Sequence, residues 1–113
     1  MKITQAEVLS PAQSLQAQQI GGALVRLRAA RGVKQADAAL RAGISRNTAY
    51  RLEHGDPGLA MGQVLRYLDA IAPGVTLLQL LLESDPSLAV LAQKEQTQRV
   101  RGMSAADIDA LNF

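Results

Sequence analysis

Residues 33–55 read VKQADAALRAGISRNTAYRLEHG, and this stretch decides the fold. Gln35 to Arg41 is predicted as a short helix that buries Ala38 and Ala39, small residues that let a second helix approach closely. Gly43 supplies a tight turn and Ile44 plugs the core behind it. Ser45 is an N-cap for a following helix that stops at Gly55. On that helix Ala49 and Leu52 face inward, while Arg46, Asn47, Tyr50 and Arg51 face outward or toward its leading edge.

Two short helices joined by a glycine turn have the layout of a helix-turn-helix. In that motif the second helix lies in the DNA major groove and its first residues reach base edges. The surrounding sequence supplies the rest of a helical bundle. Ser10-Pro11 is a strong helix start, and a helix is expected from Pro11 to Arg31, with Leu15, Ile20, Leu24 and Leu27 along one side. Gly21-Gly22 weakens its middle by about 1 kcal/mol per glycine relative to alanine, which predicts a kink or break. Gly32 ends it, and residues 1–10 are expected to be extended or loose.

After the turn Asp56-Pro57-Gly58, a helix over about Met61 to Ile71 is expected to bury Val64, Leu65, Leu68 and Ile71. Pro73-Gly74 closes it and a short helix covers Thr76 to Glu83. Asp85-Pro86 opens a further helical segment whose apolar positions thin out toward its end. Ser104 to Asp107 resembles a capping box ahead of Ile108 and Leu111. The domain reading is a loose segment 1–10, a DNA-binding domain 11–83 and a C-terminal extension 84–113, helical or partly disordered.

Composition limits the alternatives. With one Phe, two Tyr and no Trp, the core must be built from Leu, Ala, Ile and Val, which favours an all-α fold. The absence of cysteine removes disulfides, thiolate metal sites and cysteine nucleophiles. No apolar run has the length of a membrane span, and MKITQAEVLSP lacks a signal-peptide core, so a cytoplasmic protein with no membrane partner is expected. The net charge of +2 is unevenly spread. Ile20 to Ala70 carries eight Lys or Arg against four acids, whereas Glu83 to Phe113 carries three against five. A basic middle suits a polyanion, and ordinary surface scatter is the bland alternative.

Positions Ile20 to Ala72 resemble the Xre/Cro-C1 family of helix-turn-helix regulators, through the pattern IGxxLxxLRxxRGVxQxxxAxxAGISRNTxYRLEHG and the apolar helix after it. The resemblance implies a five-helix, lambda-repressor-like bundle, here with an additional C-terminal helical tail. Lys34 stands where the family has a threonine or serine cap, and Ala38 where it has a leucine. By the resemblance, Gln35 would hydrogen-bond a DNA phosphate at a helix N-terminus. Arg46, Asn47 and Arg51 fall where the family reads bases. Arginine can pair with guanine O6 and N7, and asparagine with adenine N6 and N7. Lys34, Ser45, Thr48, Tyr50 and His54 complete the expected DNA contacts, with packing of Tyr50 against its own domain as its alternative. Arg28 and Glu53 resemble a structural ion pair between the first helix and the reading helix. The leucines of Leu77 to Leu82 read first as core, but in the family the fifth helix commonly forms the dimer contact, which would give Leu77, Leu78, Leu81 and Leu82 a further use.

The function these features imply is a homodimeric repressor that regulates transcription from a near-palindromic site on double-stranded DNA. The alternative is an antitoxin, because EHGDPGLAMGQVLRYLDAI is similar to HipB-type antitoxins, which neutralise a toxin partner. Ile108, Leu111 and Phe113 of the tail could anchor such a partner. An enzyme is not expected, since no nucleophile–base set or phosphate-cradling loop is visible. No cofactor or metal is expected either, with His54 the single histidine.

Overall fold

The computed structural model of the chain describes residues 3–101, and every regular element among them is an α-helix. Helices α1 (Gln5–Val8), α2 (Pro11–Arg31), α3 (Gln35–Ala42), α4 (Arg46–Glu53), α5 (Met61–Ile71), α6 (Leu77–Leu81) and α7 (Pro86–Arg101) follow in order. The expected tail features at Ser104, Asp107, Ile108, Leu111 and Phe113 lie outside the described residues.

Local chemistry sets the helix limits. Ser10 caps α2 by accepting from the Gln13 N–H at 3.1 Å, and the Gln13 side chain accepts from the Ser10 N–H at 2.9 Å. Gly32 closes the other end at φ +67°. Gly43, at φ +70°, makes the turn between α3 and α4, and the Ser45 hydroxyl accepts from the Thr48 N–H at 3.0 Å. Lys34, in contrast, opens α3 with no side-chain cap. The loose reading of residues 1–10 is modified by one exposed turn, α1, which buries nothing.

The core joins Leu24 and Leu27 of α2, the three alanines Ala38, Ala39 and Ala42 of α3, and Ala49 and Leu52 of α4. Tyr67, Leu68 and Ile71 of α5 and Leu80 of α6 close it. On α5 the buried stripe runs through Tyr67, while Leu65, expected inside, is 46 % exposed. Val64, Tyr67, Leu68 and Ile71 stand at i, i+3, i+4 and i+7, which is the row a single helix face can bury. Leu15 is also exposed, because the first turns of α2 reach past the helices that cover Leu24 and Leu27.

The expected break at Gly21-Gly22 does not occur, and α2 is continuous. Gly21 is buried where α2 crosses the end of α4. A Cβ there would lie 2.7 Å from both the Glu53 carbonyl oxygen and the Gly55 nitrogen. Gly55, at φ +75°, returns the contact, with its would-be Cβ 2.5 Å from the Gln18 Cα. Backbone touches backbone at this crossing, and only glycine leaves room. A Cβ on Gly22 would meet nothing within 4 Å. Helix α7 packs back along α2, so the described part of the extension lies on the bundle.

Candidate nucleic-acid interface

Helix α4 is oriented from its inner face. Ala49 and Leu52 are buried in the core, and Glu53 is held beside them with its side chain only 3 % exposed. A buried carboxylate must be paired or it loses its charge. Here it accepts from Arg28 Nε at 2.7 Å, Arg28 Nη2 at 2.9 Å and Gln35 Nε2 at 2.9 Å. The Tyr67 hydroxyl donates a further short bond. Burial pushes the Glu53 carboxyl up, but the hydrogen bonds from Arg28, Tyr67 and Gln35 and the arginine charge outweigh it, and the net shift is downward. The same burial, together with the Glu53 charge, raises the Tyr67 phenol. Glu53 therefore ties α4 to α2, α3 and α5 at one point. Arg28 also donates to the Val33 carbonyl at 3.1 Å, fixing the chain entering α3. Among the described residues, no buried side-chain polar atom lacks a partner.

With that face fixed, the opposite face is fixed too. Asn47, Tyr50, Arg51 and His54 stand at i, i+3, i+4 and i+7 and form the outward row, with Arg46 on its leading edge. Asn47, Tyr50, His54 and Arg46 are exposed, and Arg51 is partly covered. Tyr50 and His54 stack with ring centroids 3.9 Å apart and planes inclined by 25°. Tyr50 thus points outward, 53 % exposed, and packs on its neighbour one turn away. His54 Nδ1 lies 2.8 Å from the Tyr50 carbonyl oxygen. A carbonyl only accepts, so Nδ1 carries the proton and Nε2 is left for an outside partner.

The other expected contact residues divide into two groups. Lys34 and Arg46 are exposed at the starts of α3 and α4, and neither has a carboxylate partner among the described residues. Gln35, Ser45, Thr48 and Arg51 are already engaged within the domain. Gln35 donates to Glu53, Ser45 caps α4 and donates to the Thr48 hydroxyl at 2.9 Å, and Arg51 Nε donates to Asp56 at 2.7 Å. Tyr67 and Asp56 are partners of Glu53 and Arg51 that the sequence reading did not single out. The i, i+3, i+4, i+7 row on α5 is the signal that would have found Tyr67. Asp56 has no comparable signal, since its partner lies across a turn.

Of the four apolar residues considered for self-association, Leu77 packs against the core. Leu78, Leu81 and Leu82 are 67 %, 51 % and 68 % exposed. Among the described residues, no helix is long and apolar enough to cross a membrane.

A helix locked on one side by a buried carboxylate, with a polar outward row and cationic leading edges, defines a helix-turn-helix domain of the DNA-binding kind. Residues 19–81 match the family described as Helix-turn-helix domain, and this chain belongs to it. The match covers more than half of the chain and runs from within α2 to the end of α6. No curated protein matches the chain, and no solved structure does.

Proposed function

We propose that this protein is a sequence-specific regulator of transcription that binds double-stranded DNA as a homodimer and represses from a near-palindromic operator. The observation that carries the reading is the outward row Asn47, Tyr50, Arg51 and His54, on a helix whose roll is fixed by Glu53. A reading helix must present the same side chains to every site it meets, and a pinned inner face secures that. Arg46 and Asn47 on the first turn supply chemistry for guanine and adenine edges. Lys34 and the exposed N-terminus of α3 supply phosphate contacts. Gln35 combines a bond to Glu53 with a place at that N-terminus, so it orients the domain on the backbone and steadies α4 together.

Dimerisation draws its support from Leu78, Leu81 and Leu82, three large apolar side chains exposed within five residues. One reading helix covers only a few base pairs, and a two-fold pair doubles the information read.

Selection from a random duplex pool at near-physiological salt tests both parts. The expected result is an inverted repeat with half-sites about one helical turn apart. Arg46→Ala should then lose about 1–3 kcal/mol of discrimination at one position of each half-site, measured by competition binding. Salt-sensitive binding with no enriched sequence would defeat the sequence-reading claim. A single enriched half-site, with a monomer mass in solution, would defeat the dimer alone.

A further inference from the structure

We propose that Asp56 is a positioning residue for base reading: its carboxylate anchors the Arg51 guanidinium through Nε and presents the remaining Nη edge as a preset fork for guanine. This rests on the reading of α4 given above. Arg51 shares the outward row with Asn47, one turn further along the helix. Asp56 lies past the helix end, yet it is tied to Arg51 twice. Its N–H donates to the Arg51 carbonyl oxygen at 3.0 Å, and its Oδ2 accepts from Arg51 Nε at 2.7 Å.

The carboxylate is itself held in place. Asp56 Oδ1 accepts from the Gly58 N–H at 2.8 Å, closing the turn around the side chain. A Cβ on Gly58 would sit 3.1 Å from that oxygen and 4.0 Å from Arg51 Nη2, so the turn lies close around the pair. The Gly58 bond, and then the Arg51 bond, keep the Asp56 carboxyl below its ordinary range and therefore ionised at neutral pH.

The division of donors gives the arrangement its meaning. A guanidinium has five N–H donors in a rigid fork, and the Asp56 bond uses the one on Nε. The four on Nη1 and Nη2 remain, and two of these suffice for guanine O6 and N7. An unanchored arginine must be ordered when it meets the base, which lowers affinity for the right sequence. An arginine anchored beforehand has already lost that freedom. A carboxylate beside the groove also repels phosphates wherever the arginine finds no guanine, which sharpens discrimination while weakening general binding.

The test compares full-length wild type, Arg51→Ala, Asp56→Asn, Asp56→Ala and the Arg51→Ala/Asp56→Ala double variant on the selected site and its single-base substitutions. Asp56→Asn keeps an acceptor for the Gly58 N–H and so preserves the turn if Asp56→Ala does not fold. Both Asp56 variants should lose about 3- to 10-fold of discrimination at the one base position that Arg51→Ala also affects. The double variant should resemble Arg51→Ala, because the pair acts through one contact. In the two Asp56 single variants, affinity for unrelated duplex should stay equal or rise. Unchanged discrimination at that position, or losses that simply add in the double variant, would overturn the role of Asp56 and leave α4 as the reader. A wild type without any base preference would overturn the reading of α4 itself, and the role of Asp56 with it.

Discussion

Helix α2 carries three arginines that each grip a carboxylate through two hydrogen bonds, yet the three pairs occupy different worlds. Arg28 meets Glu53 inside the bundle, where the glutamate side chain is 3 % exposed and shares its oxygens with Gln35 and Tyr67. Arg26 meets Glu95 at 2.7 Å in the open, with both side chains more than 40 % exposed. Arg31 meets Asp85 at 2.5 Å between these extremes. The geometry of the contacts is alike, and the surroundings separate them. Water screens the outer pair and offers either partner a replacement, whereas nothing replaces Arg28 for a buried Glu53. The inner pair therefore sets the bundle and the roll of α4. The outer two pairs fasten α7, and the residue that precedes it, to α2.

The sharpest break in this comparison is Glu53→Ala. It strands Arg28, Gln35 and the Tyr67 hydroxyl, and it should lower unfolding stability by about 3–5 kcal/mol in a denaturant titration. Loss of specific DNA binding should accompany it. Glu95→Ala, which removes a pair of similar geometry, should leave the midpoint where it was. Equal effects from the two substitutions would mean that burial is not what distinguishes them.

The two adjacent glycines of α2 sharpen the picture next. Gly21→Ala forces a methyl against the backbone of Glu53 and Gly55, and should cost about 1–3 kcal/mol by the same titration. Gly22→Ala meets open space and should instead stabilise by about 1 kcal/mol through helix propensity. A shared sign would contradict the close crossing of α2 and α4.

The smallest expected effect concerns the fastening of α7. Its Arg31 partner, and then the Ser87 hydroxyl, hold the Asp85 carboxyl at about 2, below its ordinary value near 4. A depressed carboxyl contributes its stability above the unfolded value and loses it as the pH falls toward the folded one. The hold on α7 should thus be complete above about pH 4 and fade between there and about pH 2. Amide exchange should show protection falling in Pro86–Arg101 over that window, and Asp85→Asn should lower it already at neutral pH. Protection in α7 that ignores both changes would show that apolar contacts alone hold the helix.

Helix α4 and its register were legible in 33–55 because each part depends on neighbours in the chain. Gly43 and Gly55 take left-handed backbone, Ser45 caps α4 three residues ahead, and the alternation of small and polar residues sorts the faces. The Ser10-Pro11 start and the Gly32 stop likewise placed α2, Asp85-Pro86 placed the start of α7, and amphipathic spacing placed α5. The sequence reading failed where the decisive partner lay outside the helix's own pattern. Gly21-Gly22 looks like a weak point by propensity, yet Gly21 makes a close backbone crossing because Gly55 is folded against it. Arg51 looks like a simple base reader, but Asp56 takes one of its donors.

Sequence alone therefore determined an all-helical bundle, the position of its turn and the side chains offered outward from α4. Those follow from local torsions, caps and helical period, which act over a few residues. Tertiary structure decided that Tyr67 rather than Leu65 enters the core, that four donors converge on Glu53, and that α7 returns along α2. These depend on which surfaces meet after collapse, and burial then sets the strength of every charge they enclose.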